Sequence, residues 1–388
     1  MQKRIYGSTP IIVKKSRKRK TAMQFENTAV TALSMPFWCV ANPLSDPFGE
    51  TVLPKADPRD TAKLIADAAK EGLISYTSFH DDDVVAWDPE NLEDDLDPAS
   101  SANRQLHEIK AILDAAGVKV NTVTCSLHGN KLFRDGGLCN PSPEIRALAA
   151  RKVERTLRIG AFFGAKHYTY WVARDGFEVP AATKWNDVYT HLAEGLNHVV
   201  DYIREKNLSN YIGATIEPKP NEPRGQMFLP TCGHAAGFIF GKLKEPSFWG
   251  VNPELLQHES MCLLNASMTA AYLCSMNLLK FLHFGSQIKA QFDNDFPPLI
   301  GPEGLKETVF MFKTLRDLNW KGIIEYDCHM LRAEGDPEDA QSCRKQFIRN
   351  CVEATEIALK LADRIKQPDL SRGQSAADIA SIRQMCDL

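Results

Sequence analysis

No apolar run in this sequence is long enough to span a bilayer, which excludes a membrane-spanning helix. Net charge is nearly absent as well: 46 Lys and Arg against 49 Asp and Glu leave −3, so no global field draws the chain to nucleic acid or to an anionic membrane. Ten cysteines are scattered without a single Cys-x-x-Cys. They read as reduced, buried thiols of a cytoplasmic protein and argue against a disulfide framework. A Gly-x-Gly-x-x-Gly turn, the mark of an open dinucleotide-binding sheet, is missing too. Acids are absent before Glu26, where KKSRKRK runs from Lys14 to Lys20. Residues 1–30 are therefore expected to form a solvated, disordered basic tail, with an organelle or nuclear address as the other reading. IYGSTPIIV is too short and too interrupted for a secretory signal.

What is present is a globular composition, 44% hydrophobic and 24% charged over 388 residues. Beyond residue 30, short β-rich runs alternate with amphipathic helical stretches. The runs fall near 32–38, 73–79, 119–125, 167–172, 211–217, 248–254, 278–284 and 323–327. The helical patterns cover 57–72, 101–117, 143–163, 187–206, 260–276, 303–318 and 337–365. Repeated βα units imply parallel strands and right-handed crossovers, and eight of them predict a closed (β/α)8 TIM barrel. The barrel domain is expected over 31–335, with a C-terminal helix and short tail over 336–388.

In such a barrel, chemistry collects at the C-terminal ends of the strands. Trp38 and His80 are expected at the ends of the first two strands, and His128 just after the third. Trp171, Glu217, Glu254, His283 and Asp327 follow at the ends of the fourth to eighth. Buried carboxylates are costly unless paired or bound to a cation, so this convergence points to a site rather than to packing. Asp293 and Asp295, in the loop after the seventh strand, reach towards the same cup. His258, four residues after Glu254, offers a nitrogen. Oxygen ligands of this number suit Mg2+ or Mn2+, and the imidazole favours Mn2+ or Co2+. Two ions sharing a carboxylate is one reading, and a set of separate surface salt bridges is the other.

His80 opens HDDD, and Asp83 is placed to orient it as a base. Alternatively it is a loop histidine in a solvated acid cluster. In IEPKPNEPRG, residues 216–225, Lys219 stands close enough to Glu217 to set its charge against a developing oxyanion. Three prolines stiffen that loop. Trp38 and Trp171 offer flat apolar walls suited to the C–H face of a sugar, or serve as core. Phe48, in DPFG, sits on a loop where an aromatic often serves an interface.

Taken in order, DPFG (46–49), FHDDD (79–83), FRDGG (133–137), IEPKPNEPRG (216–225), GVNPE (250–254) with HE (258–259) and FDND (292–295) resemble the shorter class of xylose isomerases. The resemblance covers about residues 33–370 and implies a (β/α)8 barrel that interconverts aldoses and ketoses with two divalent ions per subunit, Mg2+, Mn2+ or Co2+. It implies that His80, paired with Asp83, assists ring opening and that Lys219 holds the sugar oxygen on the first carbon. One ion then takes Glu217, Glu254, Asp327 and a fourth carboxylate, and the other takes Glu254, His258, Asp293 and Asp295. Trp38 and Trp171 line the hydride path. Phe48 enters a neighbouring subunit's pocket, which implies a homodimer or homotetramer. The Glu222–Pro223 bond is expected to be cis.

The chain departs from that pattern at several points. His283 stands where the fourth carboxylate belongs, and ELLQHE puts one extra residue between Glu254 and His258. His128 replaces an aromatic wall, Asn42 a second tryptophan, and His329 a lysine; the tail ending at Leu388 is short. Two functional readings lead: a metal-dependent aldose–ketose isomerase acting on D-xylose or D-glucose, or a catalytically impaired relative that binds sugar or metal. A third, sugar epimerisation with paired glutamates around a single metal, is opposed by the intact IEPK and Asp-x-Asp pattern. His283 is a substituted ligand under the first and the mark of a lost site under the second.

Overall fold

A computed structural model describes residues 30–45, 49–90, 100–299 and 301–386. The basic tail and Phe48 lie outside the described residues.

Eight parallel strands form one sheet: β1 Val30–Ser34, β2 Tyr76–His80, β3 Lys119–Thr124, β4 His167–Trp171, β5 Gly213–Glu217, β6 Trp249–Val251, β7 Leu282–Phe284 and β8 Gly322–Tyr326. Their hydrogen-bonded order is β6-β5-β4-β3-β2-β1-β8-β7. Two parallel bridges, Val251 with Leu279 and Glu254 with His283, join the ends and close the TIM barrel. Closure removes both sheet edges.

The helices lie outside. Pro58–Lys70 begins on Asp57, whose side chain accepts from the Arg59 N–H, with Pro58 at the first helical position. Pro143–Phe163 starts on Ser142 and ends at Gly164, whose φ of 72° suits a residue without Cβ. Ala340–Arg364, after β8, packs against Gly301–Asp317 and Pro58–Lys70, and the helix Gln374–Cys386 follows.

Several elements depart from the sequence pattern: the helix Gln374–Cys386 forms in the expected tail, and two others bear on the site or the barrel wall. The first strand ends at Ser34, not at Trp38, because Pro36 cannot donate to a ladder and instead precedes the short helix Phe37–Ala41. Trp38 is thus carried on a helical turn above the barrel. The helix Cys232–Lys242 has no counterpart among the predicted elements. Its sequence, CGHAAGFIFGK, carries three glycines that lower helix propensity. Burial of Cys232, Ala235, Ala236, Phe238 and Ile239 supplies the compensating stabilisation. In the proline-rich loop, Gln226–Met227 pairs with Gly176–Phe177, and the Glu222–Pro223 peptide is cis.

The barrel interior is polar at mid-height. Thr122, Thr169 and Thr215 exchange hydroxyl hydrogen bonds of 2.8 and 2.9 Å across β3, β4 and β5. Glu325 lies fully buried beside them. Such a layer is stable because nearly every donor finds an acceptor within it.

Candidate active site

A cavity of about 540 Å3 opens at the C-terminal mouth of the barrel. It is lined by every described candidate: Trp38, His80, Asp83, His128, Trp171, Glu217, Lys219, Glu254, His258, His283, Asp293, Asp295 and Asp327. Asn42 and His329 line it as well.

Two groups of possible ligand atoms form within it. Glu217, Glu254, His283 and Asp327 offer one atom each, all within 4.8 Å of one another, and Glu254, His258 and Asp293 do the same. Glu254 belongs to both. Three buried atoms of these two groups lack any hydrogen-bond partner, Glu254 Oε2, His283 Nδ1 and Asp293 Oδ1; so does His128 Nδ1, outside both groups. Unsatisfied buried polar atoms are costly, and oxygen and imidazole atoms of this kind within two ligand groups fit divalent cations in chemistry. Burial, then the charges of Asp327, Asp295 and Glu217, push the Glu254 carboxyl well above its usual range.

His258 keeps its place despite the extra residue. Its Nδ1 lies 3.0 Å from the carbonyl of Pro218, to which it donates. That leaves Nε2 turned to Asp293 Oδ2 at 3.5 Å. The added length is absorbed before the helix His258–Met261, where Gln257 has φ −113° and ψ −91°. Gln257 Nε2 donates to Asp295 Oδ1 at 2.9 Å and to the carbonyl of Asp327 at 2.7 Å. Asp295 is thereby held with Gln257 and His329 and stands outside the second group. Gln257 lies in the ELLQHE stretch that carries the extra residue, but its role depends on the 295 loop folding over it. A Cβ at position 285 would stand 2.7 Å from the Asp327 carbonyl and 2.8 Å from Gln257 Oε1, so Gly285 leaves the necessary room.

His80 faces the same cavity. Its Nδ1 lies 3.2 Å from Asp83 Oδ2, which also accepts the His80 backbone N–H at 2.9 Å. Burial opposes its protonation, but Asp83, joined by the charges of Asp327 and Glu217, outweighs burial and raises its pKa. The acids of HDDD are not a solvated cluster. Asp81 is fully buried, 2.5 Å from Lys152 Nζ and 3.5 Å from Arg155 Nη1. Asp81 also accepts the Ser126 N–H at 2.8 Å. These contacts fix the short helix Asp81–Val84 that carries Asp83.

Lys219 pairs with Asp293 and lies over the Trp171 ring, 5.7 Å from its centroid. Burial opposes its charge, yet Asp293 holds its pKa above the ordinary value, so it remains a cation. Trp38 donates from Nε1 to Asp327 Oδ1 at 2.8 Å and lies against His80 with the rings tilted by 58° and their centroids 4.7 Å apart. His128 stands edge-on between His80 and Trp171. Burial, then the neighbouring His80, pushes its pKa down to about 3, so it is neutral.

Glu325, not among the residues expected at the mouth, shares a barrel face with Asp327 two residues on, a relation that strand periodicity alone makes visible.

A closed barrel with a carboxylate-rich mouth defines a class, and the comparisons agree. Residues 65–247 match the family model described as "Xylose isomerase-like TIM barrel". The xylose isomerases of Thermus thermophilus and Thermus caldophilus are each 31% identical over 330 residues, covering 85% of this chain and 79% of theirs. The chain belongs to the xylose isomerase family. Its fold is also that of more distant solved structures. An L-ribulose 3-epimerase shares it with a TM-score of 0.58 and 12% identity, covering 86% of this chain and 96% of its own. A D-psicose 3-epimerase of Clostridium cellulolyticum has a TM-score of 0.57 and 13% identity, covering 84% and 98%.

Proposed function

We propose that this protein is a metal-dependent aldose–ketose isomerase that converts D-xylose to D-xylulose, with D-glucose to D-fructose as a related pair, by moving a hydride between adjacent carbons. The observation that carries this reading is the sharing of Glu254 by two ligand groups inside one sugar-sized cavity that also holds His80 and Lys219. The family's identity to xylose isomerases supports the substrate class.

Glu217, Glu254, His283 and Asp327 would hold one divalent ion, and Glu254, His258 and Asp293, with Asp295 beside them, the other. When bound, Mg2+, Mn2+ or Co2+ supplies Lewis acidity at the two neighbouring sugar oxygens. The chain's own residues do the rest. His80, oriented through Nδ1 by Asp83, exchanges a proton with the ring sugar to open it. Lys219 sets its positive charge near the oxygen on the first carbon. Trp38, His128 and Trp171 wall off water, which protects a migrating hydride from exchange. In the same reading the subunit acts as a cytoplasmic homodimer or homotetramer.

The test uses the purified full chain with Mn2+ and D-xylose. D-Xylulose should appear, stop on chelation, and coincide with two ions per chain by elemental analysis. No ketose from any pentose or hexose would overturn the reading, and under one ion per chain would favour the non-catalytic alternative.

Asp83→Asn provides a second check, with a definite sign. Asp83 raises the His80 pKa, so its removal lowers that pKa. If neutral imidazole is the working form, the acid limb of the kcat/KM profile moves to lower pH. The rate loss should be smaller than the roughly 10²–10⁴-fold expected for removing His80 itself. A limb that stays put or moves to higher pH contradicts the pairing.

A further inference from the structure

His283 brings the one imidazole to the first ligand group, and the structure supplies a partner for it. In the β7–β8 register His283 is paired with Glu325, and Glu325 in turn with Ser34 on β1. Glu325 is fully buried. Its Oε2 accepts from Ser34 Oγ at 2.7 Å, from Asn121 Nδ2 at 2.9 Å and from Ser78 Oγ. Its Oε1 is left facing His283 Nε2 at 3.1 Å and accepts from it. The opposite nitrogen, Nδ1, points to the cavity, 2.9 Å from Asp327 Oδ2 and 3.4 Å from Glu217 Oε2. Neither oxygen lies along an N–H direction, so Nδ1 makes no hydrogen bond although it is buried. A buried nitrogen in contact with two carboxylates of the same ligand group, with no aligned hydrogen bond to either, is placed to share a cation with them. An aspartate at 283 would instead press a carboxylate against Glu325 in the barrel interior, where two buried like charges repel.

We propose that Glu325 is a positioning residue for the first cation: it accepts the hydrogen bond of His283 Nε2, fixes the ring and its tautomer, and so makes Nδ1 the coordinating atom. The inference rests on the metal-dependent reading above. His283 and Glu325 form a matched pair, and the imidazole is a working replacement for a carboxylate only with Glu325 behind it. A carboxylate behind a ligating imidazole raises its basicity, and its loss typically lowers metal affinity about 10–100-fold. Three carboxylates and one imidazole favour Mn2+, Co2+ or Zn2+ over Mg2+.

The experiment is a calorimetric titration of Mn2+ into four full-length proteins: wild type, Glu325→Gln, His283→Asp and the double variant. Glu325→Gln should weaken one of two sites about 10–100-fold. His283→Asp should weaken it as well. In the His283→Asp background, however, Glu325→Gln should strengthen binding, because it removes the opposing carboxylate. This reversal of sign is what a merely structural Glu325 cannot produce. Equal weakening in both backgrounds, or no effect in either, overturns the inference. If Glu325→Gln does not fold, the wild type decides. In Zn2+-loaded protein labelled with ¹⁵N-histidine, the resonances lost in His283→Asp should show metal on Nδ1 and a proton on Nε2, and the reverse assignment overturns the inference. Wild type that takes up two ions while Glu325→Gln is unchanged defeats this inference alone. Wild type that takes up none defeats the metal-dependent reading with it.

Discussion

Replacing Glu254 by glutamine is expected to remove both cations together and to lower kcat by about a thousandfold or more. Metal ions contribute several kcal/mol to stabilising a developing charge, and each 1.36 kcal/mol is tenfold in rate. Glu254 alone belongs to both ligand groups, so its loss cannot be confined to one. Asp327→Asn, by contrast, should weaken the first ion and spare the second. Elemental analysis beside steady-state kinetics checks this, and a Glu254→Gln protein that keeps two ions refutes the shared-ligand geometry. The metal-free proteins give a complementary result. Burial, then Asp327, Asp295 and Glu217, raise the Glu254 pKa in the fold. A carboxyl raised in this way favours the fold below its unfolded pKa, and that contribution is lost as pH rises through the folded value. Glutamine mimics the protonated form. Chelated Glu254→Gln should therefore melt above chelated wild type at neutral to alkaline pH, with the gap closing towards acid. Mn2+ should then raise the melting temperature of wild type and not of the variant.

The second large effect is on stability. Lys152→Met is expected to cost about 3–5 kcal/mol, because it removes the nearest cation from a fully buried Asp81. Methionine approximates the volume of the lysine stem, so the cost arises from charge rather than from a cavity. Arg155, at 3.5 Å from Asp81, compensates only in part. The midpoint of urea unfolding should fall with little change in slope. A companion Asp81→Asn change should recover part of the loss, because the uncompensated charge is then gone. A single variant as stable as wild type would show that Arg155 suffices. Asp81 opens the short helix that carries Asp83, so the loss should also loosen the His80 orientation.

Much of the site was legible in the sequence because a barrel turns order along the chain into proximity. Glu217, Glu254, His283 and Asp327 end successive βα units, and parallel strands with right-handed crossovers bring such ends to one mouth. The eight strands and most helices follow from hydrophobic periodicity for the same reason: it is a local signal. Cys232–Lys242 escaped it because three glycines obscure the propensity and only packing restores the helix.

The sequence by itself determined the barrel, the family and the set of acids and histidines at its mouth. Tertiary structure decided how those groups are paired. It turned Nδ1 rather than Nε2 of His283 to the cavity, because Glu325 lies opposite it in the strand register. It drew Asp81 out of an acidic run into a buried ion pair, and it tied Asp295 to Gln257, beside Asp293 but outside the group of Glu254, His258 and Asp293. Each of these choices depends on which side chain lies across the barrel or in the next loop. Short-range periodicity carries face and spacing, but the charge balance of a buried site is set only when distant strands come into register.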